Sequence, residues 1–140
     1  MANGPILAID PGRDKCGLAV VGPAGVLAQA VVPLDLLPQT AAALAREHQA
    51  VEVVLGNGTA AQEAEARLRR ALPRLPLSLV DEAHSSEEGR RRYFQAHPPR
   101  GWRRLIPRGL LTPPRPYDDF VAVVLAERYL AGREEKTGDR

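Results

Sequence analysis

The most constraining feature of this sequence is an acidic residue at the end of a short apolar run near the N-terminus. The run Ile6–Asp10 is separated from a second apolar run, Gly17–Val21, by a polar turn that contains Pro11 and Gly12. Two such runs around a turn predict a β-hairpin with a wide loop. A strand buried among aliphatic side chains does not usually end in an acid unless the acid reaches water, a turn amide or a metal. We therefore interpret Asp10 as a turn-forming residue or as the first ligand of a metal site.

The rest of the chain continues as strands and helices of ordinary length. A third apolar run, Val26–Val32, follows a short turn and predicts a third antiparallel strand. The remaining predicted elements are a helix over Pro38–Gln49, a strand at Val51–Leu55, a helix capped by Thr59 and ending near Leu72, a strand at Leu77–Val80, a helix capped by Ser85, and a helix from Asp118 to Ala131 stopped by Gly132. This order predicts an α/β fold with a mixed five-stranded sheet, three antiparallel strands followed by alternating helix and strand, and helices on both faces.

Length and hydropathy predict a single domain. The chain has 140 residues, of which 44% are hydrophobic, enough for one ordinary core. We expect the domain to span residues 1–132 and the charged tail, residues 133–140, to be disordered. The sequence shows no apolar run long enough to span a membrane and no secretory signal, so we expect a cytoplasmic protein.

Positive charge is concentrated in one segment. Between Gly89 and Tyr117 there are eight arginines and no acid, so the segment carries +8; because the whole chain carries only +2, the remainder carries −6. Arginines interleaved with aromatic residues are typical of a surface that meets phosphates, although a solvated face would also account for them. The candidates for contacting nucleic acid are Arg13 and Lys15 in the hairpin loop, and Arg90, Arg91, Arg92, Arg100, Arg103 and Arg104.

Two further acidic pairs accompany Asp10. Asp81 and Glu82 follow the fifth predicted strand, and Asp118 and Asp119 open the last helix. In isolation the first pair could be polar residues leaving a strand, and the second could stabilise a helix N-terminus. If the fifth strand lies near the first, however, these carboxylates could converge at one edge of the sheet. Three or four oxygen ligands suit Mg²⁺ or Mn²⁺, and two such ions could support phosphodiester hydrolysis.

Together these motifs resemble the YqgF/RuvX family of nucleases, relatives of RuvC with an RNase H-like fold. The run Ile6–Val21 is similar to that family's Asp-x-Gly strand-turn-strand motif, and the segment 80–82 to its Asp-Glu-Arg segment. The segment 116–122 resembles the acidic start of its terminal helix. The similarity extends from about Pro5 to Leu130.

The resemblance implies a metal-dependent endonuclease or exonuclease acting on structured nucleic acid. Its implied catalytic and metal-binding residues are Asp10, Glu82 and Asp119, with Asp118 as a fourth or substitute ligand. The implied substrates are the small-subunit ribosomal RNA precursor or a four-way DNA junction, and a resolvase of a two-fold junction would be expected to dimerise. The sequence departs from the family in one place: Ala83 and His84 stand where arginine often follows Asp-Glu.

Two other classes of protein are compatible with parts of the pattern. Sugar kinases and actin-like ATPases use a similar Asp-x-Gly hairpin for nucleotide phosphates, but they need two such lobes. A non-catalytic nucleic-acid-binding module would retain the fold without the chemistry, although Asp10, Glu82 and Asp119 are all present.

Overall fold

A mixed five-stranded sheet forms the centre of the molecule. The computed structural model describes residues 4–101, 105 and 116–138, with side chains to Gly132 in its last helix. The strands are β1 (Ile6–Asp10), β2 (Lys15–Gly22), β3 (Gly25–Pro33), β4 (Glu52–Gly56) and β5 (Leu77–Val80), in the order β3-β2-β1-β4-β5. β2 pairs antiparallel with β1 and β3, whereas β4 pairs parallel with β1 and β5. The predicted mixed sheet is confirmed, with β1 at its centre.

Helices cover both faces of this sheet, as the sequence predicted. They are α1 (Leu37–His48), α2 (Ala61–Ala71), α3 (Ser85–Ala96) and α4 (Asp118–Gly138), and a short 3-10 turn, Leu34–Leu36, precedes α1. Because alternate residues of a strand face opposite sides, Leu7 and Ile9 pack in the cluster that includes α1 and α2. Ile6 and Ala8 pack instead against α4.

Two predicted helix caps are wrong. α2 begins at Ala61 and is preceded by Ala60, with no side-chain cap, so Thr59 does not serve as its N-cap. The residue that precedes α3 is His84, whose φ of 61° lies in the left-handed region. The hydroxyl of Ser85 donates to the carbonyl oxygen of Glu82 at 2.7 Å, so it stabilises the preceding loop and does not cap the helix.

α4 does not end where the sequence predicted. It continues through Gly132 to Gly138, so the expected stop is wrong and the first residues of the predicted disordered tail are helical. A glycine inside a helix costs only about 0.5–1 kcal/mol relative to alanine. Six consecutive buried residues, Val121–Ala126, dock the helix and outweigh that cost. The domain span of residues 1–132 stays a prediction. In the described part of the chain, no helix has both the length and the apolar composition to cross a membrane.

The start of α4 lies directly over the end of β1. Asp10 pairs with Gly17 of β2, and a Cβ on Gly17 would overlap the backbone carbonyl of Asp118 and lie 2.6 Å from the backbone nitrogen of Asp119. Gly17 lies in β2, in agreement with the predicted second strand Gly17–Val21. The missing side chain lets the backbone of α4 approach the sheet, and this approach brings the acids of α4 towards Asp10.

Candidate active site

Asp10 is the centre of a cluster of three carboxylates. It is the last residue of β1, and burial raises its pKa from the ordinary value of 3.8 to about 7, with further contributions from the charges of Asp118 and Glu82. Like charges raise a carboxyl pKa only when they lie close together and are incompletely screened. The fold therefore places two of the other predicted acidic ligands, Asp118 and Glu82, within electrostatic range of Asp10.

Glu82 reaches this cluster across the end of a neighbouring strand. It follows β5, and β4 separates β5 from β1. A Cβ on Gly56 would lie 2.5 Å from Oε2 of Glu82, and a Cβ on Gly58 would overlap Oε1. Two residues without side chains thus form the surface on which the carboxylate rests. Burial, followed by the charge of Asp81, raises the pKa of Glu82. Its Oε2 is buried without a hydrogen-bond partner among the described residues.

The Gly58→Ala variant tests this placement. The backbone of Gly58 is not in the left-handed region, and the added methyl meets only the mobile end of the Glu82 side chain. We therefore expect little loss of stability but a carboxylate displaced from Asp10. The Mn²⁺ dissociation constant, measured by calorimetry, should rise about 10- to 100-fold, the range found when groups that orient metal ligands are lost. Gly132→Ala, where a Cβ meets open space, is the control. Unchanged Mn²⁺ affinity in Gly58→Ala would contradict the placement of Glu82.

The backbone around Glu82 is held by hydrogen bonds from the loop after β4, from α3 and from α4. Its amide donates to Oδ1 of Asn57 at 3.3 Å, and its carbonyl accepts from the Ser85 hydroxyl. The guanidinium of Arg128 in α4 donates to the carbonyl oxygens of Asp81, at 3.1 Å, and Ala83, at 2.7 Å. These bonds fix the loop between β5 and α3, and with it the direction in which the Glu82 side chain leaves the backbone.

The two acids at the start of α4 have different surroundings. Asp118 is partly buried, and its pKa is raised by burial and by Asp119, while the ammonium of Lys15 opposes the shift. Asp119 is only 5% exposed, and its Oδ2 accepts a hydrogen bond from Nε2 of Gln29 on β3 at 3.1 Å. Asp118 is thus the neighbour whose charge acts on Asp10, whereas Asp119 joins α4 to the edge strand.

The donor set fits a hard divalent cation in type and charge. Asp10, Glu82 and Asp118 offer oxygen ligands, and all three pKa values are raised. The buried Glu82 oxygen has an unmet need for a donor or a cation. Within the residues that the structure describes, no three His, Cys, Asp or Glu side chains converge on one point as a metal-binding group. The fit therefore rests on the charge, oxygen chemistry and burial of the cluster.

The cationic residues predicted to contact nucleic acid differ in exposure and in the bonds they make. Arg13 and Lys15 are exposed in and beside the β1–β2 turn, next to Asp10; Arg91 on α3 and Arg100 are also exposed, and Arg90 is half-buried. Arg92 is engaged within the fold, since its Nη2 donates to Oε2 of Glu127 in α4 at 2.8 Å. This hydrogen bond is the main cause that raises the pKa of Arg92. Arg103 and Arg104 lie outside the described residues.

Sequence reasoning missed three residues that organise the site: Gln29, Asn57 and Arg128. The sequence could have indicated Asn57, because an asparagine between two glycines at the end of a buried strand is typical of a turn against which another group packs closely. No local pattern indicates Gln29 or Arg128, because a lone polar residue on an edge strand or a helix is usually solvated.

Comparison with known proteins finds two curated relatives with one shared description. A protein of Kineococcus radiotolerans described as "Putative pre-16S rRNA nuclease" is 38% identical over 103 residues, covering 61% of this chain and 55% of that protein. A protein of Thermobifida fusca with the same description is 38% identical over 96 residues, covering 59% of this chain and 60% of that protein. The chain thus spans somewhat more than half the length of the curated relatives it matches, and no protein-family model matches it. These relatives confirm the resemblance drawn from the acidic motifs.

Solved structures confirm the RNase H-like fold. RuvC of Thermus thermophilus superposes with a TM-score of 0.60 at 17% identity, over 93% of this chain and 96% of that chain. RuvC of the same organism in complex with a Holliday junction substrate gives a TM-score of 0.57 at 17% identity, over 88% of this chain and 90% of that chain. At this identity the likeness concerns the fold.

Proposed function

We propose that this chain is a Mg²⁺- or Mn²⁺-dependent nuclease that hydrolyses phosphodiester bonds in the precursor of the small-subunit ribosomal RNA. The observation that carries the proposal is the position of Asp10, whose pKa is raised by burial and then by two carboxylates distant in the sequence, Asp118 and Glu82. The choice of substrate is supported by the description shared by the two curated relatives.

The cluster contributes closely spaced negative charges to such a reaction. A divalent ion held there supplies Lewis-acid stabilisation of phosphodiester hydrolysis. Asp10, Glu82 and Asp118 are the residues that would hold one or two such ions. Asp119 keeps the start of α4 in place through Gln29, and the glycines under Glu82 keep its carboxylate close to Asp10.

The substrate backbone would meet the exposed cations around the cluster. Arg13 and Lys15 lie beside Asp10 in the chain, and Arg91 and Arg100 are exposed. Arginine and lysine in such positions bind phosphates of any sequence and orient the strand. The ion pair with Glu127 gives Arg92 a structural role in joining α3 to α4.

A cleavage assay tests the proposal directly. Purified protein is incubated with Mn²⁺ or Mg²⁺ and, in parallel, with precursor RNA carrying its unprocessed ends, a four-way DNA junction, duplex DNA and single-stranded DNA. We expect cleavage of the precursor RNA, and at least a 100-fold slower rate for Asp10→Asn, because several kcal/mol of transition-state stabilisation are lost. Labels at either end of the RNA distinguish endonucleolytic from exonucleolytic action. Asp14→Asn, an exposed acid in the same turn, is the matched control.

Each other outcome points to a different function. Cleavage of the four-way junction alone would favour a resolvase, and sedimentation should then show a dimer, because the junction is two-fold symmetric. Binding of RNA without cleavage would favour a non-catalytic module. Full activity of Asp10→Asn would overturn the metal site. A role in ribosomal RNA maturation implies a cytoplasmic protein, because the precursor is made there.

A further inference from the structure

Arg128 joins α4 to the loop that carries Glu82. Its Nη1 donates to the carbonyl oxygens of Asp81 and Ala83, the residues on either side of Glu82, at 3.1 and 2.7 Å. Its Nη2 donates to Oε1 of Glu88 in α3 at 3.0 Å. Arginine suits this role because its planar guanidinium presents several donors in a fixed geometry. One side chain therefore connects the loop, α3 and α4.

A neighbouring ion pair shows what is particular to Arg128. Glu127, the preceding residue of α4, binds Arg92 of α3 and so also ties the two helices together. Both pairs cross the same α3–α4 interface. Of these two α4 residues, Arg128 is the one that also binds the backbone on both sides of Glu82.

The position of Arg128 in α4 connects two parts of the acidic cluster. α4 begins with Asp118, and Arg128 follows ten residues later, about 15 Å along the same helix. The helix is rigidly docked, because residues Val121–Ala126 between these two points are buried. A helix that contributes one carboxylate at its start thus also holds the loop that contributes another.

We propose that Arg128 is a positioning residue for the metal site, and that its guanidinium sets the place of Glu82 relative to Asp10 and Asp118. The inference rests on the proposed function for its link to metal binding. Without the guanidinium, the carbonyls of Asp81 and Ala83 lose their donors and the loop gains freedom. The Glu82 carboxylate then spends less time on the Gly56–Gly58 surface, and affinity for a divalent cation falls.

The test compares Arg128→Met with Glu127→Gln, which weakens only the helix-to-helix ion pair. The first measurement is hydrogen–deuterium exchange of the Ala83 and Ser85 amides without metal; these amides bond to Oδ1 of Asp81 and the carbonyl of Glu82. We expect exchange to become at least tenfold faster in Arg128→Met and to stay within twofold of wild type in Glu127→Gln. The second is the Mn²⁺ dissociation constant of the protein alone, which should rise 10- to 100-fold in Arg128→Met only.

Two further variants keep the test decisive. Arg128→Lys preserves the charge but cannot bridge both carbonyls and Glu88, so about a tenfold weaker Mn²⁺ affinity is expected even if Arg128→Met does not fold. Glu88→Gln leaves the carbonyl contacts in place and should bind Mn²⁺ within about twofold of wild type. Equal losses in Arg128→Met and Glu127→Gln would overturn the inference, because Arg128 would then serve only to join α3 to α4. Wild-type exchange and affinity in both Arg128 variants would also overturn it.

Failure of the inference can be told apart from failure of the proposed function. If the wild-type protein does not bind Mn²⁺, the metal site fails, while the exchange rates still decide whether Arg128 holds the loop. If the wild-type protein binds Mn²⁺ and Arg128→Met binds it equally well, the metal site stands and the positioning role fails.

Discussion

At pH 8 and without divalent ions, the Asp10→Asn variant is expected to be more stable than the wild-type protein, by as much as about 4 kcal/mol in the free energy of unfolding. Burial, Asp118 and Glu82 raise the pKa of Asp10 from 3.8 to about 7. Each unit of pKa shift corresponds to about 1.4 kcal/mol between the two protonation states. The wild-type protein bears this cost when Asp10 is ionised, and asparagine removes it.

The direction of this stability difference follows from the protons bound by the folded and unfolded states. Between pH 4 and 7 the folded protein retains a proton on Asp10 that the unfolded chain has lost, so the wild-type protein loses stability as the pH rises through this window. Above pH 7 the penalty is complete, and below pH 4 it vanishes because both states are protonated. The stability gap between Asp10→Asn and wild type should therefore open from pH 4 to 7. Urea unfolding at a series of pH values measures it.

A divalent cation should narrow this difference in stability. Mn²⁺ binding to the folded state stabilises the wild-type protein by about 2.7 kcal/mol at a concentration one hundred times the dissociation constant. Asp10→Asn should gain much less because it has lost a ligand. Asp14→Asn, in the same turn, should match wild type throughout. A stability gap for Asp10→Asn that does not change with pH would contradict the clustering of the three carboxylates.

Asp118→Asn is expected to lose cleavage activity and Asp119→Asn to lose stability, although the residues are adjacent and the chemical change is the same. The charge of Asp118 acts on Asp10, so its loss should slow cleavage at least 100-fold. It should not destabilise the metal-free protein, since it relieves repulsion. Asp119 is buried and binds Gln29, so its loss should lower the free energy of unfolding by about 1–3 kcal/mol, as for a hydrogen bond to a charged group. Its cleavage rate should fall less than tenfold.

Single-turnover cleavage and urea unfolding of the two variants measure both effects. Each variant is the other's control for the loss of one negative charge at the start of α4. If Asp119→Asn loses the activity and Asp118→Asn keeps it, Asp119 is the principal ligand, as the sequence motif implied. If both lose activity without loss of stability, both carboxylates bind metal.

The sequence was sufficient to predict the architecture. Alternating and continuous apolar runs define the strands locally, because each strand carries its own burial pattern along the chain. Short turns after β1 and β2 force antiparallel pairing, and longer helical connections permit the parallel pairs of β4. The sequence also identified the acids after β1 and β5 and at the start of α4, because an acid next to an aliphatic run is unusual in a local pattern.

Local details were predicted less well where tertiary contacts compete with local preference. Ser85 and Thr59 are good helix-capping residues by type, yet Ser85 binds the Glu82 carbonyl and Thr59 precedes α2 by two positions. Gly132 resembles a helix stop, but the buried residues of α4 before it sustain the helix. At Ser85 a hydrogen bond to the preceding loop, and at Gly132 the burial of the residues before it, outweigh local preferences worth about 1 kcal/mol.

The sequence by itself therefore determined the element order, the mixed character of the sheet and the acids available for a site. Only the tertiary structure decided where those acids lie relative to one another. Adjacent residues of a helix point in directions about 100° apart, so the docking of α4 on Gly17 turns Asp118 towards Asp10 and Asp119 towards Gln29. Glu82 lies close enough to act electrostatically on Asp10, its carboxylate rests where two glycines leave space after β4, and Arg128 holds its loop from 46 residues away. Such contacts depend on packing between distant segments, and no local pattern records them.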